Sequence, residues 1–178
     1  MRRSAEQGFT LVEIMIVVAI IALLAAIAIP NVLRGRTSAN EAASIGNERA
    51  LMSSLEMYRS VNNVYPQLGN WQADMYPALP ANTPAFGPPS FNAAISPGPA
   101  TVQGYNYTYA GLPLACTDVL TNCTQYTILG VPQTINQTGT RSFFVNETGT
   151  IRHCLGTGTA VGGPAWNTID RAPTNPCT

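Results

Sequence analysis

The sequence predicts an α+β fold, with one long N-terminal α-helix packed against a small antiparallel β-sheet of about four strands. Three observations point to it. An apolar run, "FTLVEIMIVVAIIALLAAIAIP", fills Phe9 to Pro30 with Glu13 its one charge. A polar stretch of helix-forming composition continues to about Val61. Past residue 103, short segments such as "GYNYTYAG" alternate in the period of two that marks strands.

The 178 residues suffice for one domain with a sizeable core and an appendage. Nine arginines balance nine acids and lysine is absent, so no basic surface is indicated for nucleic acid and no acidic one for cations. Charged residues make up only 10% of the chain against 46% apolar, and much of that imbalance lies in the first thirty positions. A bilayer is the natural environment for such a segment.

Leu11 to Ile29 is just long enough to cross about 30 Å of hydrocarbon, which takes about 20 residues. Arg2 and Arg3 precede it, and the positive-inside preference keeps them in the cytoplasm and sends the remainder outward. A cleaved secretory signal fits poorly, because the run exceeds a typical apolar core and such a signal gains nothing from Glu13. A plain anchor fits no better, since a carboxylate inside a spanning helix costs about 2.5–3.5 kcal/mol and usually marks function.

"GFTLVE" at Gly8–Glu13, after a short basic leader and before the apolar run, resembles the class III signal of bacterial type IV prepilins and of the related pseudopilins of type II secretion. The resemblance implies that prepilin peptidase, a membrane aspartic protease, cuts after Gly8 and methylates the new N-terminus at Phe9. It also implies that Glu13 is the family's assembly glutamate, and that the fold is the lollipop pilin fold. Cleavage supplies a physical reason for the acid. The α-amine exposed on Phe9, with a reference pKa of about 8, is largely cationic at neutral pH. Glu13 can then meet an amine in its own helix or, as in the family's filaments, that of a neighbouring subunit. A buried pair of this kind sets register more than it adds stability.

Pro30 removes one helix hydrogen bond and crowds the carbonyl of Ala26, so a kink or local opening is expected near Ala26–Pro30, in a helix that the resemblance implies continues. The alternative is a simple helix end at the membrane surface. From Asn31 to about Val61 the apolar positions place Ala39, Ala43, Ala50, Leu51, Leu55, Met57, Tyr58 and Val61 on one face, with Glu41, Glu48, Arg49, Glu56 and Arg59 on the other. Ile45 and Met52 fall on the charged side, as isolated exposed residues or as contacts between subunits.

Eight prolines between Asn62 and Gln103 exclude long helices and central strands there, while Tyr65, Trp71, Tyr76, Phe86 and Phe91 predict that this connection packs down on the head. "QYTILGV" reads as a strand, and "RSFFVNETGTIRHC" as two strands joined around Glu147–Gly149. The expected organisation is a cleaved leader (1–8), an apolar helix half (9–33), an amphipathic helix half (34–61) and a head (62–178). The head divides into a proline-rich loop (62–103), a sheet (104–153) and a C-terminal loop (154–178).

Cys116, Cys123, Cys154 and Cys177 form no CxxC pair and stand near a single histidine, His153, so two disulfides made outside the cytoplasm are expected and a zinc site is not. Three connectivities are open, with Cys116–Cys123 and Cys154–Cys177 preferred as the local pairing. A bond from Cys154 to Cys177 resembles the disulfide-bounded C-terminal loop of type IV pilins.

No constellation of nucleophile and base surrounds His153, and Asp74, Asp118, Glu147 and Asp170 read as solvated turn acids. No catalytic residue, cofactor or metal is expected. The resemblance implies a structural subunit of an extracellular type IV pilus, of a major pilin in particular. Its expected partners are other pilin subunits in a homopolymer, prepilin peptidase, the inner-membrane pilus assembly machinery and, before assembly, the membrane itself. Adhesion, twitching motility or DNA uptake would follow. The alternatives are a type II secretion pseudopilin, typically shorter and lacking the disulfide-bounded loop, and a membrane-tethered binding module that never polymerises.

Overall fold

The first helix, α1, runs without interruption from Leu11 to Asn62. It stops at a left-handed residue, Asn63 with φ 62°, whose N–H donates to the Arg59 carbonyl at 2.7 Å. Asparagine tolerates that conformation better than most residues, which makes it a suitable helix terminator. The computed structural model describes residues 8–77, 85–92, 95, 100–112, 123–157 and 167–168. The expectations for Cys116, Cys177, Asp118, Asp170, the leader before Gly8 and most of the C-terminal loop fall outside those residues. Two compact units divide the chain, Met1–Arg36 and Thr37–Thr178.

Within the second unit six strands form one antiparallel meander, each beside the next in sequence: β1 (Ala100–Val102), β2 (Tyr105–Leu112), β3 (Gln125–Pro132), β4 (Arg141–Asn146), β5 (Arg152–Leu155) and β6 (Asn167–Thr168). The predicted α+β class holds, with more strands than the expected four or so. The two short outer strands account for the difference. β1 lies inside the proline-rich stretch and joins β2 through Gln103 and Gly104, both at positive φ (51° and 78°), as a tight two-residue hairpin requires. β6 pairs with Arg152 and His153 of β5.

Alternation along the strands sends Tyr105, Tyr107, Tyr109, Ile128, Phe143 and Val145 into the main core. Leu129, Phe144 and Cys154 form a separate buried cluster. The connection between α1 and β1 does pack down. Trp71, at the start of the short helix α2 (Trp71–Met75), and Phe91 are fully buried, and the Trp71 indole N–H donates to the Phe91 carbonyl at 3.1 Å. Tyr109 Oη donates to the Pro66 carbonyl at 2.6 Å, tying the start of that connection to the sheet.

The face that α1 buries corrects the one predicted from its apolar residues. Glu41, Ser44, Glu48, Leu51, Ser54, Leu55 and Tyr58 are buried, whereas Met57 and Val61 are 52% and 67% exposed. The spacing is helical, but polar residues fill the stripe's first half. Ile45 and Met52 are partly buried against the core rather than isolated on the surface.

The sheet supplies polar partners where the stripe is polar. Glu41 Oε1 accepts from the Thr140 N–H (2.8 Å) and hydroxyl (2.6 Å), and Oε2 accepts from Arg141 Nε (2.8 Å) and Nη2 (2.6 Å). Tyr107 Oη donates to Ser44 Oγ at 2.9 Å, and Asn40 Nδ2 donates to the Thr138 carbonyl at 2.9 Å. Burial by itself would push the Glu41 carboxyl up, but the Thr140 hydrogen bonds and the Arg141 guanidinium together hold it below the ordinary glutamate value.

Two outcomes are expected. Leu55→Ala should lower the unfolding free energy of the second unit by about 2–5 kcal/mol in a denaturant titration, as for other fully buried leucines. Glu41 has a lowered folded pKa, so its contribution is complete above the unfolded value of 4.5 and is lost as pH falls through the folded value. Glu41→Gln should therefore flatten the acid limb of the stability profile, and an unchanged acid limb would exclude the pair as its source.

Candidate assembly site

The start of α1 is shaped by Thr10 and Glu13. Thr10 precedes the first helical residue, and its hydroxyl accepts the Glu13 N–H at 3.2 Å. In return Glu13 Oε2 accepts the Thr10 N–H at 3.2 Å and the Thr10 hydroxyl at 3.0 Å. This reciprocal pattern is a capping box, with threonine as N-cap and glutamate three residues on. In the uncut chain, then, the Glu13 carboxylate is occupied with its own helix start. The expectation for this end of the helix names Gly8, Phe9 and Glu13 but not Thr10, although "TLVE" carries the T-x-x-E signature that pairs Thr10 with Glu13.

From there the helix is apolar on every side. Phe9 is 85% exposed, and Ile14, Ile16, Val18, Ile20, Leu23, Leu24, Ile27 and Ile29 are each at least half exposed. A helix that is hydrophobic all round belongs in lipid or in the middle of an assembly. This one is long and apolar enough to cross a membrane, and none of its most apolar window is buried.

Pro30 does not end α1, so the simple-terminus alternative is excluded. Directly after it, Asn31 Nδ2 donates to the Ile27 carbonyl at 3.1 Å, a side-chain bond at the place where proline disturbs the backbone ladder.

The other residues singled out from the sequence lie in the second unit. Cys123 and Cys154 are both buried and both disulfide-bonded. Cys123 packs in the main core and accepts the Tyr65 N–H on its carbonyl at 2.9 Å, while Cys154 packs with Leu129 and Phe144. His153 is fully buried, with Nδ1 3.2 Å from Arg141 Nη1, which places it in the Glu41–Arg141 network. Asp74 departs from the solvated-turn reading. Burial pushes its carboxyl up, partly offset by the Gln67 N–H at 3.1 Å and by a hydrogen bond with Tyr58. Among the described residues, no group of three His, Cys, Asp or Glu is placed to hold a metal.

Removing the Thr10 hydroxyl tests the capping geometry. Thr10→Ala should weaken the first turn by about 1 kcal/mol, read as amide exchange at Glu13 about fivefold faster in micelles. Unchanged exchange would mean that the box contributes nothing there.

The model for the prokaryotic N-terminal methylation motif matches residues 3–29, which include Gly8, Phe9, Thr10 and Glu13. The chain is 39% identical over 66 residues to the type II secretion system core protein G of Klebsiella michiganensis, covering 37% of this chain and 46% of that one. Identity to the Pseudomonas aeruginosa protein of the same name is also 39% over 66 residues, with the same coverage. The type IV wide pilus major component PilA4 of Thermus thermophilus is 46% identical over 63 residues, covering 35% of this chain and 47% of the relative. The chain thus spans about half the length of the relatives it matches.

Proposed function

Because its N-terminal segment belongs to the superfamily of type IV pilins and type II secretion pseudopilins, we propose that this protein is a structural subunit of an extracellular type IV pilus, in the role of major pilin. The observation that carries the reading is an apolar helical segment, its large side chains about half exposed or more, headed by the Gly8–Glu13 motif. Such a surface is stable in lipid before assembly and against other copies after it.

In this account the basic leader and the apolar helix hold the precursor in the inner membrane, with Arg2 and Arg3 on the cytoplasmic side. Prepilin peptidase cleaves after Gly8 and methylates Phe9. The new α-amine then competes with the Thr10 hydroxyl and N–H for Glu13. Because Glu13 and Thr10 are neighbours on one helix, an incoming subunit can present its own amine to the same carboxylate. Assembly machinery in the inner membrane extracts the subunits, and their helices pack against one another. Each leucine or isoleucine covered contributes about 1.5–3 kcal/mol relative to water, so no aqueous intermediate is tolerable. The protein contributes no catalysis; adhesion, motility or DNA uptake would be properties of the fibre.

The pseudopilin reading is kept because the core protein G relatives are named for type II secretion. Support for the pilus comes from the head. Cys123 and Cys154 are disulfide-bonded, which suits an oxidising compartment outside the cytoplasm, and the preferred local pairing gives them Cys116 and Cys177 as partners, the second bond closing the C-terminal loop.

Mass spectrometry of material sheared from cells should find a chain beginning at N-methylated Phe9 with all four cysteines oxidised. An unprocessed chain confined to membranes would overturn the filament reading, and processed chain retained in the envelope would favour the pseudopilin. Glu13→Gln and Glu13→Ala should each reduce sheared filament at least about tenfold, the consequence of leaving one partner of a buried pair uncompensated.

A further inference from the structure

Glu48 stands in the middle of the α1 face that meets the sheet. It is fully buried, and neither carboxyl oxygen has a hydrogen-bond partner. The room it occupies is made by Gly130 of β3. A Cβ there would stand 3.0 Å from Glu48 Oε1, 3.1 Å from a Tyr107 ring carbon and 3.2 Å from Ser44 Oγ.

The polar groups around it are engaged elsewhere. Tyr107 Oη donates to Ser44 and receives Asn47 Nδ2 at 3.2 Å. The Arg141 guanidinium, from β4, bonds Glu41 and reaches His153 of β5. Glu41, two turns earlier on α1, is thereby compensated and offers no positive charge. β2 contributes Tyr105 and Tyr107, whose hydroxyls are both pushed up by burial, Tyr107 to about 12, and stay neutral through the physiological range. From β3 the Gly130 backbone favours the ionised acid, less than burial disfavours it, and makes no formed hydrogen bond to it.

An ionised carboxylate with no counter-charge and no donor is not tolerated in such a place, whereas the neutral acid is. We propose that Glu48 is a carboxylic acid held protonated between α1 and strands β2 and β3, and that loss of this proton loosens the helix from the sheet, making the head's integrity pH-sensitive on the alkaline side. The inference concerns the folded second unit and holds whether or not the chain polymerises.

Burial drives the Glu48 carboxyl well above its ordinary value of 4.5, so the folded state binds the extra proton. Its favourable contribution is complete below that value and declines as pH rises towards the folded pKa, by up to about tenfold in the folding equilibrium constant per pH unit. Glu41 has the opposite sign. The two glutamates, two turns apart on one helix, set the acid and alkaline limits of the same interface.

The test follows the full chain in micelles through denaturant titrations from pH 5 to pH 9. Wild type should lose folding equilibrium constant as pH rises through that range, and Glu48→Gln, which keeps the shape and removes the proton, should show a shallower dependence, with Asp74 and the buried His153 unchanged between the two proteins. Equal slopes in the two proteins would overturn the proposal. Carbon-13 NMR of glutamate-labelled wild-type chain needs no variant to fold. One Cδ resonance should sit at the position of the neutral acid at pH 7, and finding every glutamate ionised there would contradict the assignment.

Discussion

An apolar helical surface that the chain does not cover itself governs everything else about this molecule. From Leu11 to Leu33 the large apolar side chains of α1 are about half exposed or more, which is untenable in water for a segment of that length. Lipid or the apolar interior of an assembly satisfies it. The two differ in what they ask of Glu13, because hydrocarbon offers a carboxylate no partner, while a neighbouring N-terminus offers a charged one. The capping box gives Glu13 an intermediate arrangement, in which its carboxylate is hydrogen-bonded within its own first turn until something better arrives.

The second half of α1 solves a different problem with the same continuous helix. Its buried stripe begins with Glu41, Ser44 and Glu48 and ends with Leu51, Leu55 and Tyr58, so polar and apolar recognition of the sheet are separated along its length. At the apolar end, Tyr65 stacks edge-on to Tyr126 at 4.7 Å, and Tyr58 meets Phe86 at 5.3 Å. At the polar end, hydroxyls, a guanidinium and one bare glycine backbone meet the helix beside the Tyr107 ring. Uniform apolar packing would tolerate small shifts along the helix axis. Paired polar groups tolerate them less, and the Glu41–Arg141–Thr140 contacts fix where the helix meets the strands.

The elements most legible in the sequence were those governed by short-range rules. The apolar run, the end of α1 near Asn62, the alternating strand at Tyr105 and the hairpin around Glu147–Gly149 each follow from local composition, and each lies within a residue or two of its expected place. The buried face of α1 was not legible, because a hydrophobic stripe is read from apolar residues, and Glu41 and Glu48 are buried by partners about 80 to 100 positions away. β1 was hidden by its proline-rich surroundings, and the two positive φ angles that make its turn are not a standard sequence signal when the first belongs to glutamine. At the candidate site the motif draws attention to Gly8, Phe9 and Glu13, while Thr10 is legible only through the T-x-x-E capping signature.

The central claim is that the exposed N-terminal helices are covered by one another. Electron cryomicroscopy of fibres sheared from the cell surface tests it most directly. The account predicts a central bundle in which Leu11–Leu33 of each subunit packs on the same segment of its neighbours, with Glu13 beside the N-terminus of an adjacent copy. Fibres held together by the heads alone, with the N-terminal helices apart or absent from the core, would contradict it.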